Sequence, residues 1–235
     1  MPAKHSLKIY TTNGFYHIYN RGIDKKEIFL ESIDFRVFLN YLNLYLSPKE
    51  KTIKKLKEKI KDEELLSEKI KEVLRLNNFY HKIRLHCFVL MKNHFHLLIR
   101  QKDSYDIEDF MRSLTTKYVA YFNRKYKRVG PLFQGKYKAA LITEEKYLIY
   151  LSAYIHRNPE EILLKTEPLI SYPWSSYPFY VKNMKTDWLE KELILSYFKK
   201  VNGFSFSSYQ GFVEGYKEVN EAEKYYRKLM LDLDY

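Results

Sequence analysis

The order of hydrophobic patterns along this 235-residue chain predicts an α+β fold, a ferredoxin-like antiparallel sheet with helices packed on one face. Three observations lead there. Periodic segments follow one another as strand, helix, strand, strand, helix, strand, helix. Two adjacent strand-like runs are joined by a tight connection at Lys92-Asn93, as in a hairpin. The helical segments carry their apolar residues on one side.

Residues 14–20 (Gly-Phe-Tyr-His-Ile-Tyr-Asn) read as the first strand, closed by the turn-prone Arg21-Gly22-Ile23-Asp24. Over 34–46, Phe35, Phe38, Leu39, Leu42 and Leu46 recur at helical spacing until Ser47-Pro48. From 49 to 76 a charged stretch carries Ile53, Leu56, Ile60, Leu66, Ile70 and Val73 on one or two amphipathic helices. Its lysines are largely balanced by glutamates, which suits a solvated helical insertion over 48–77 better than a binding arm. Strand character returns over 80–90 and 94–100, and this hairpin is expected in the middle of the sheet. Residues 106–126 form a helical pattern with Phe110, Leu114, Tyr118, Tyr121 and Phe122 on its apolar side. Gly130-Pro131 breaks the chain, 135–142 is a further strand, and Thr143 is placed to cap a helix that Pro159 stops. Segments 188–201 and 209–230 read as closing helices. The chain thus divides into a main domain, 1–180, and a C-terminal helical extension, 181–235.

Composition narrows the function. With 41 Lys+Arg against 29 Asp+Glu, the net charge is +12 and the pI about 9.4, favouring polyanions such as nucleic acid or an anionic membrane surface. No apolar run near the first motif approaches the ~20 residues of a membrane span. The sequence Met1-Pro2-Ala3-Lys4-His5-Ser6-Leu7-Lys8 lacks the apolar core of a signal peptide. Cys87 is the single cysteine, so neither an intrachain disulfide nor a cysteine zinc cluster can form. A cytoplasmic location is the resulting expectation. Tyrosine is abundant, at 23 residues, which supplies rings to stack on bases and means that no tyrosine is catalytic by rarity.

Three groups of residues could carry chemistry. His94 and His96 lie two apart at the start of a strand, so both imidazoles project from one face and could hold a divalent metal. Tyr154 and Asn158 are one helical turn apart and share a face; the competing reading is a core tyrosine and an asparagine that closes the helix before Pro159. Between residues 112 and 138 stand Arg112, Lys117, Arg124, Lys125, Lys127, Arg128, Lys136 and Lys138 with no acid among them, interleaved with aromatic residues. That mixture suits phosphate contact and base stacking, although most of the aromatics are better explained as core.

His94-Phe95-His96, within Met91-Lys92-Asn93 and Leu97-Leu98-Ile99, resembles the histidine–hydrophobe–histidine motif of the single-tyrosine HUH transposases. Tyr16-His17-Ile18-Tyr19-Asn20-Arg21-Gly22, Gly130-Pro131-Leu132-Phe133-Gln134-Gly135-Lys136-Tyr137-Lys138, Tyr154-Ile155 with Asn158-Pro159, and Tyr172-Pro173-Trp174-Ser175-Ser176-Tyr177 follow in the family's order. The length and the Asn-Pro ending are more similar to the REP-associated tyrosine transposases than to the compact transposases of minimal insertion sequences. The stretch 49–76 departs from the common pattern as an insertion.

The resemblance implies that His94, His96 and Asn158 hold Mg²⁺ or Mn²⁺ and that Tyr154 is the nucleophile. It also implies metal-dependent cleavage and joining of single-stranded or hairpin DNA through a 5′-phosphotyrosine. Magnesium or manganese suits an amide-oxygen ligand and open coordination positions better than zinc does. Arg21 and Arg157 are candidate phosphate contacts, Tyr150 is the rival nucleophile, His156 should face elsewhere, and His17 is expected to pack. A homodimer and a monomer are both compatible with the resemblance. The alternatives are a replication or transfer initiator of the same chemistry and a non-catalytic DNA- or RNA-binding regulator on the same scaffold.

Overall fold

In the computed structural model, which describes residues 10–199 and 208–215, four antiparallel strands form one sheet. They are β1 (Phe15–Arg21), β2 (Ile83–Met91), β3 (His94–Gln101) and β4 (Lys138–Ile142), in the order β2-β3-β1-β4. This is the ferredoxin-like order, with β1 and β3 central in a register running from Phe15↔Arg100 to Arg21↔His94.

The β2–β3 hairpin forms, but it does not occupy the middle of the sheet: β2 is an edge. Its sequence reads as a central strand because the chain covers that edge. The Leu90 N–H donates to Trp174 O, the Ser176 N–H to Phe88 O and the Glu190 N–H to Leu85 O, at 2.8–2.9 Å. The outer backbone groups of β2 are thereby satisfied, and an all-apolar run survives at a sheet edge.

Helices α1 (Ser32–Leu46) and α4 (Asp106–Lys125) lie in the two strand-to-strand crossovers and pack on one face, as expected. That face is built from Phe95, Leu97 and Ile99 of β3; the Phe38 ring of α1 lies 5.2 Å from Phe95 and 5.1 Å from Tyr118 of α4. Buried Asp34 caps α1, accepting from the Leu30 and Glu31 N–H groups. Between α1 and β2, α2 (Lys49–Lys59) and α3 (Glu63–Arg75) pair with each other and bury only Val73.

A further helix, α5 (Glu145–Arg157), crosses the opposite face, so the sheet is covered on both sides. It begins after Glu144, and Thr143 does not cap it: no side chain at the cap position bonds the first turn. Behind α5 pack α6 (Tyr177–Val181), α7 (Glu192–Lys199) and α8 (Tyr209–Gly215). Of the closing helix expected over 209–230, residues 216–230 lie outside the described residues. No helix among the described residues is long and apolar enough to cross a membrane.

Candidate active site

Strand alternation decides which residues reach the α5 face. His94 and His96 emerge from β3 on the same side, with Arg21 and Tyr19 opposite them on β1. His17 shares that face and reaches His96, its Nε2 lying 2.8 Å from His96 Nδ1. On α5, Leu148, Leu151, Ser152 and Ile155 are buried, and the half-buried Tyr154 and Asn158 come to the histidines. The Tyr154 ring meets His96 edge-on with centroids 5.8 Å apart and stands 6.5 Å from the ring of His17.

Two amides fix how the site presents its lone pairs. Asn93 donates through Nδ2 to Lys25 O at 3.3 Å, which turns Oδ1 toward His94 to accept from Nδ1 at 2.7 Å. The His94 proton is therefore on Nδ1, and Nε2 is bare. Asn158 donates through Nδ2 to Tyr154 O at 3.0 Å, so its Oδ1 is aimed at His94 Nε2, 3.3 Å away. Two acceptors face one another, an arrangement that a cation satisfies and a hydrogen bond does not. Their separation is close to the roughly 3 Å between adjacent ligands of an octahedral ion with ~2.1 Å bonds.

The electrostatics agree with that reading. Burial holds His94 below the ordinary imidazole range, against the opposing pull of Asn158 and Glu161. Burial, reinforced by His17 and His94, holds His96 well below that range. Burial alone lowers His17 to about 3. At neutral pH all three are uncharged, the form that binds metals. Among the described residues no three His, Cys, Asp or Glu side chains are grouped so as to hold a metal ion. A metal here depends on the Asn158 amide as third donor, a hard oxygen that suits Mg²⁺ or Mn²⁺.

The other candidates separate cleanly. Tyr150, one helical turn before Tyr154, packs on Phe212 of α8, with centroids 5.7 Å apart. His156 is fully buried behind α5, bonded to the Tyr209 hydroxyl and to Ser176 Oγ at 2.6 Å each. His17, expected to pack, contacts the site, and its position in β1 two residues before Tyr19 could have signalled this. Asn93 was legible only as a turn residue. Arg21 stands opposite His94 and donates through Nε to Gln134 at 2.5 Å. Arg157 is held by Glu160 through two bonds of 2.9 Å.

The basic window divides in two. α4 runs back along β3, so its C-terminal end and the loop after it come to the His94 end of the sheet. There the Gln134 N–H bonds Arg21 O and the Ile23 N–H bonds Leu132 O. Exposed Arg124, Lys127, Arg128, Lys136 and Lys138 gather at this end with no carboxylate partner among the described residues. Lys138, opposite Tyr19 on β4, stands on the histidine face. Lys125 differs: its ammonium lies 2.8 Å from buried Asp34 and 3.2 Å from Glu31, so its charge is matched within the fold. Arg112 is paired with Asp109, roughly 18 Å back along α4 from Arg124. Exposed Lys117 lies between the two ends.

The model of the IS200-like transposase family matches residues 51–158, a span that contains His94, His96, Tyr154 and Asn158 but not β1. A solved structure of a REP-associated tyrosine transposase bound to a REP hairpin shares the fold, with a TM-score of 0.51 at 14% identity. The match covers 86% of this chain and 95% of that one. No curated protein matches the sequence.

Proposed function

We propose that this chain, whose residues 51–158 match the IS200-like transposase family and whose fold is shared with a REP-associated tyrosine transposase, cleaves and rejoins single-stranded DNA with Tyr154 as its nucleophile. The observation that carries the proposal is the meeting of two separate elements: β3 supplies His94 and His96, and α5 brings Tyr154 and Asn158 to them.

A phenol, with its ordinary pKa near ~10, is a weak nucleophile at neutral pH. Held by His94 Nε2, His96 and the Asn158 oxygen, Mg²⁺ or Mn²⁺ would draw charge from a phosphate oxygen and supply the missing activation. Tyr154 gives its proton to solvent as Oη bonds to phosphorus. The P–O3′ bond breaks, and the 3′ oxygen leaves with the electron pair and takes up a proton. The products are a 5′-phosphotyrosine and a free 3′-hydroxyl. A second 3′-hydroxyl reverses the step on a new strand without ATP, because the phosphodiester's energy is kept in the covalent link.

Arg21 and Lys138 flank the phosphate position, and Arg124, Lys127, Arg128 and Lys136 extend a cationic track from it. The track suits a folded single strand, whose phosphates bind the cations while unpaired bases stack on aromatic rings. The REP hairpin bound by the structural relative is the model for such a substrate. A cytoplasmic site of action follows from this role.

The test incubates the full chain with end-labelled hairpin DNA from the sequences flanking its own gene, with Mn²⁺ or EDTA. A denaturation-resistant protein–DNA adduct formed with Mn²⁺ and absent with EDTA supports the proposal. Tight binding with no adduct on any substrate transfers the chain to the binding-regulator reading.

A further inference from the structure

One buried ring nitrogen in the site has no hydrogen-bond partner. His17 is fully buried, and its Nδ1 has no hydrogen-bond partner, while its Nε2 lies 2.8 Å from His96 Nδ1. The two rings are within 20° of coplanar with centroids 5.0 Å apart, which is the geometry of an in-plane N–H···N bond and not of a face-to-face stack. Only one proton fits between the two nitrogens, so the pair has two arrangements.

In the first arrangement, His96 Nδ1–H donates to His17 Nε2. His96 Nε2 is then bare and can ligate, and the His17 proton sits on Nδ1, buried and unpaired. In the second, His17 Nε2–H donates to His96 Nδ1. His96 then carries its proton on Nε2, where it blocks a ligand, and His17 Nδ1 is a bare acceptor. Burying an unpaired N–H is the costlier of the two for the empty protein.

We infer that His17 is a positioning residue that sets the tautomer of His96 and thereby governs metal loading. Asn93 does the same for His94, but through an amide whose orientation is fixed by Lys25 O and which therefore allows one tautomer only. The two histidines are thus controlled differently. His94 is permanently competent, and His96 becomes competent when the shared proton belongs to it. The inference rests on the metal-dependent reading of the site and assigns an ordering role to a residue that touches neither metal nor DNA.

The test compares Mn²⁺ affinity, read by electron paramagnetic resonance, for the full chain, His17→Phe and His17→Gln. The ring nitrogens of His96 are read by long-range ¹H–¹⁵N correlation in the unmodified chain with and without Mg²⁺. Loss of the acceptor in His17→Phe should weaken Mn²⁺ binding ~10–100-fold. His17→Gln offers an amide oxygen to the same Nδ1–H and should bind close to the unmodified chain. Mg²⁺ should bring His96 to the Nδ1–H form. Equal binding by His17→Phe, equal losses in both variants, or a His96 that keeps Nε2–H with Mg²⁺ bound overturns the inference while leaving the site intact. Failure of the unmodified chain to bind Mn²⁺ overturns the site reading and this inference with it.

Discussion

The two faces of the same four-stranded sheet do opposite work. On one, Phe95, Leu97 and Ile99 meet Phe38 and Tyr118 in a continuous apolar and aromatic core under α1 and α4. On the other, residues one position away along the same strands are Tyr19 and the three histidines His17, His94 and His96, whose imidazoles burial keeps neutral beneath α5. A strand's two-residue period is enough to put an apolar core on one side and a cluster of imidazoles on the other. The polar face is tolerated because each imidazole is aimed at a specific partner.

Each face of the sheet can be impaired with the other left in place. The largest effect belongs to Phe38→Ala, which removes a fully buried ring between α1 and β3 and should cost ~3–5 kcal/mol of stability in denaturant unfolding. The folded fraction should still bind Mn²⁺. His94→Ala should do the reverse: Mn²⁺ affinity in a direct titration falls at least ~10-fold, and the unfolding midpoint of the metal-free chain moves far less than in Phe38→Ala. Asn158→Asp, which keeps an oxygen donor, should retain binding that Asn158→Ala loses.

Acid should act through buried histidines, His17 on the polar face and His156 behind α5. His17 and His156 have folded pKa values lowered by burial to about 3, against about 6.5 when unfolded, so the unfolded chain binds more protons in between. Stability is therefore undiminished above pH ~6.5 and falls as the pH drops toward ~3, by as much as ~1.4 kcal/mol per pH unit for each such histidine. His17→Phe should flatten this slope in urea titrations at stepped pH.

The smallest effects separate the two ends of the basic window. Replacing Lys136 by Ala should weaken hairpin binding and lower the slope of log affinity against log salt by about 1. Arg112→Ala, at the far end and already paired with Asp109, should leave that slope nearly unchanged.

Much of this contrast was legible in the sequence, for reasons that vary by residue. The His-x-His pair and the 3.6-residue spacing of α5 are local patterns, so their faces could be read before any fold was known. The exchange of β2 and β1 between edge and centre could not, because β2 is covered by residues 174–176 and 190, far away in the chain. The pairing of Lys125 with Asp34 was hidden for the same reason: a charge count sees no acid nearby when the acid lies 91 residues upstream. His17 illustrates the limit most clearly. Its strand and face were readable, but its contact with His96 depends on the β1–β3 register, and β1 pairs with β3 across the whole α1–α3 segment.

The α5 face is proposed to act through Tyr154. The most direct test traps the protein–DNA adduct with Mn²⁺, digests both components, and locates the nucleotide by peptide mass spectrometry, with Tyr154→Phe alongside. A 5′-phosphonucleotide on the peptide containing Tyr154, and no adduct from Tyr154→Phe, is the predicted result. An adduct carried by Tyr150 or any other tyrosine, or one that persists in Tyr154→Phe, would contradict it.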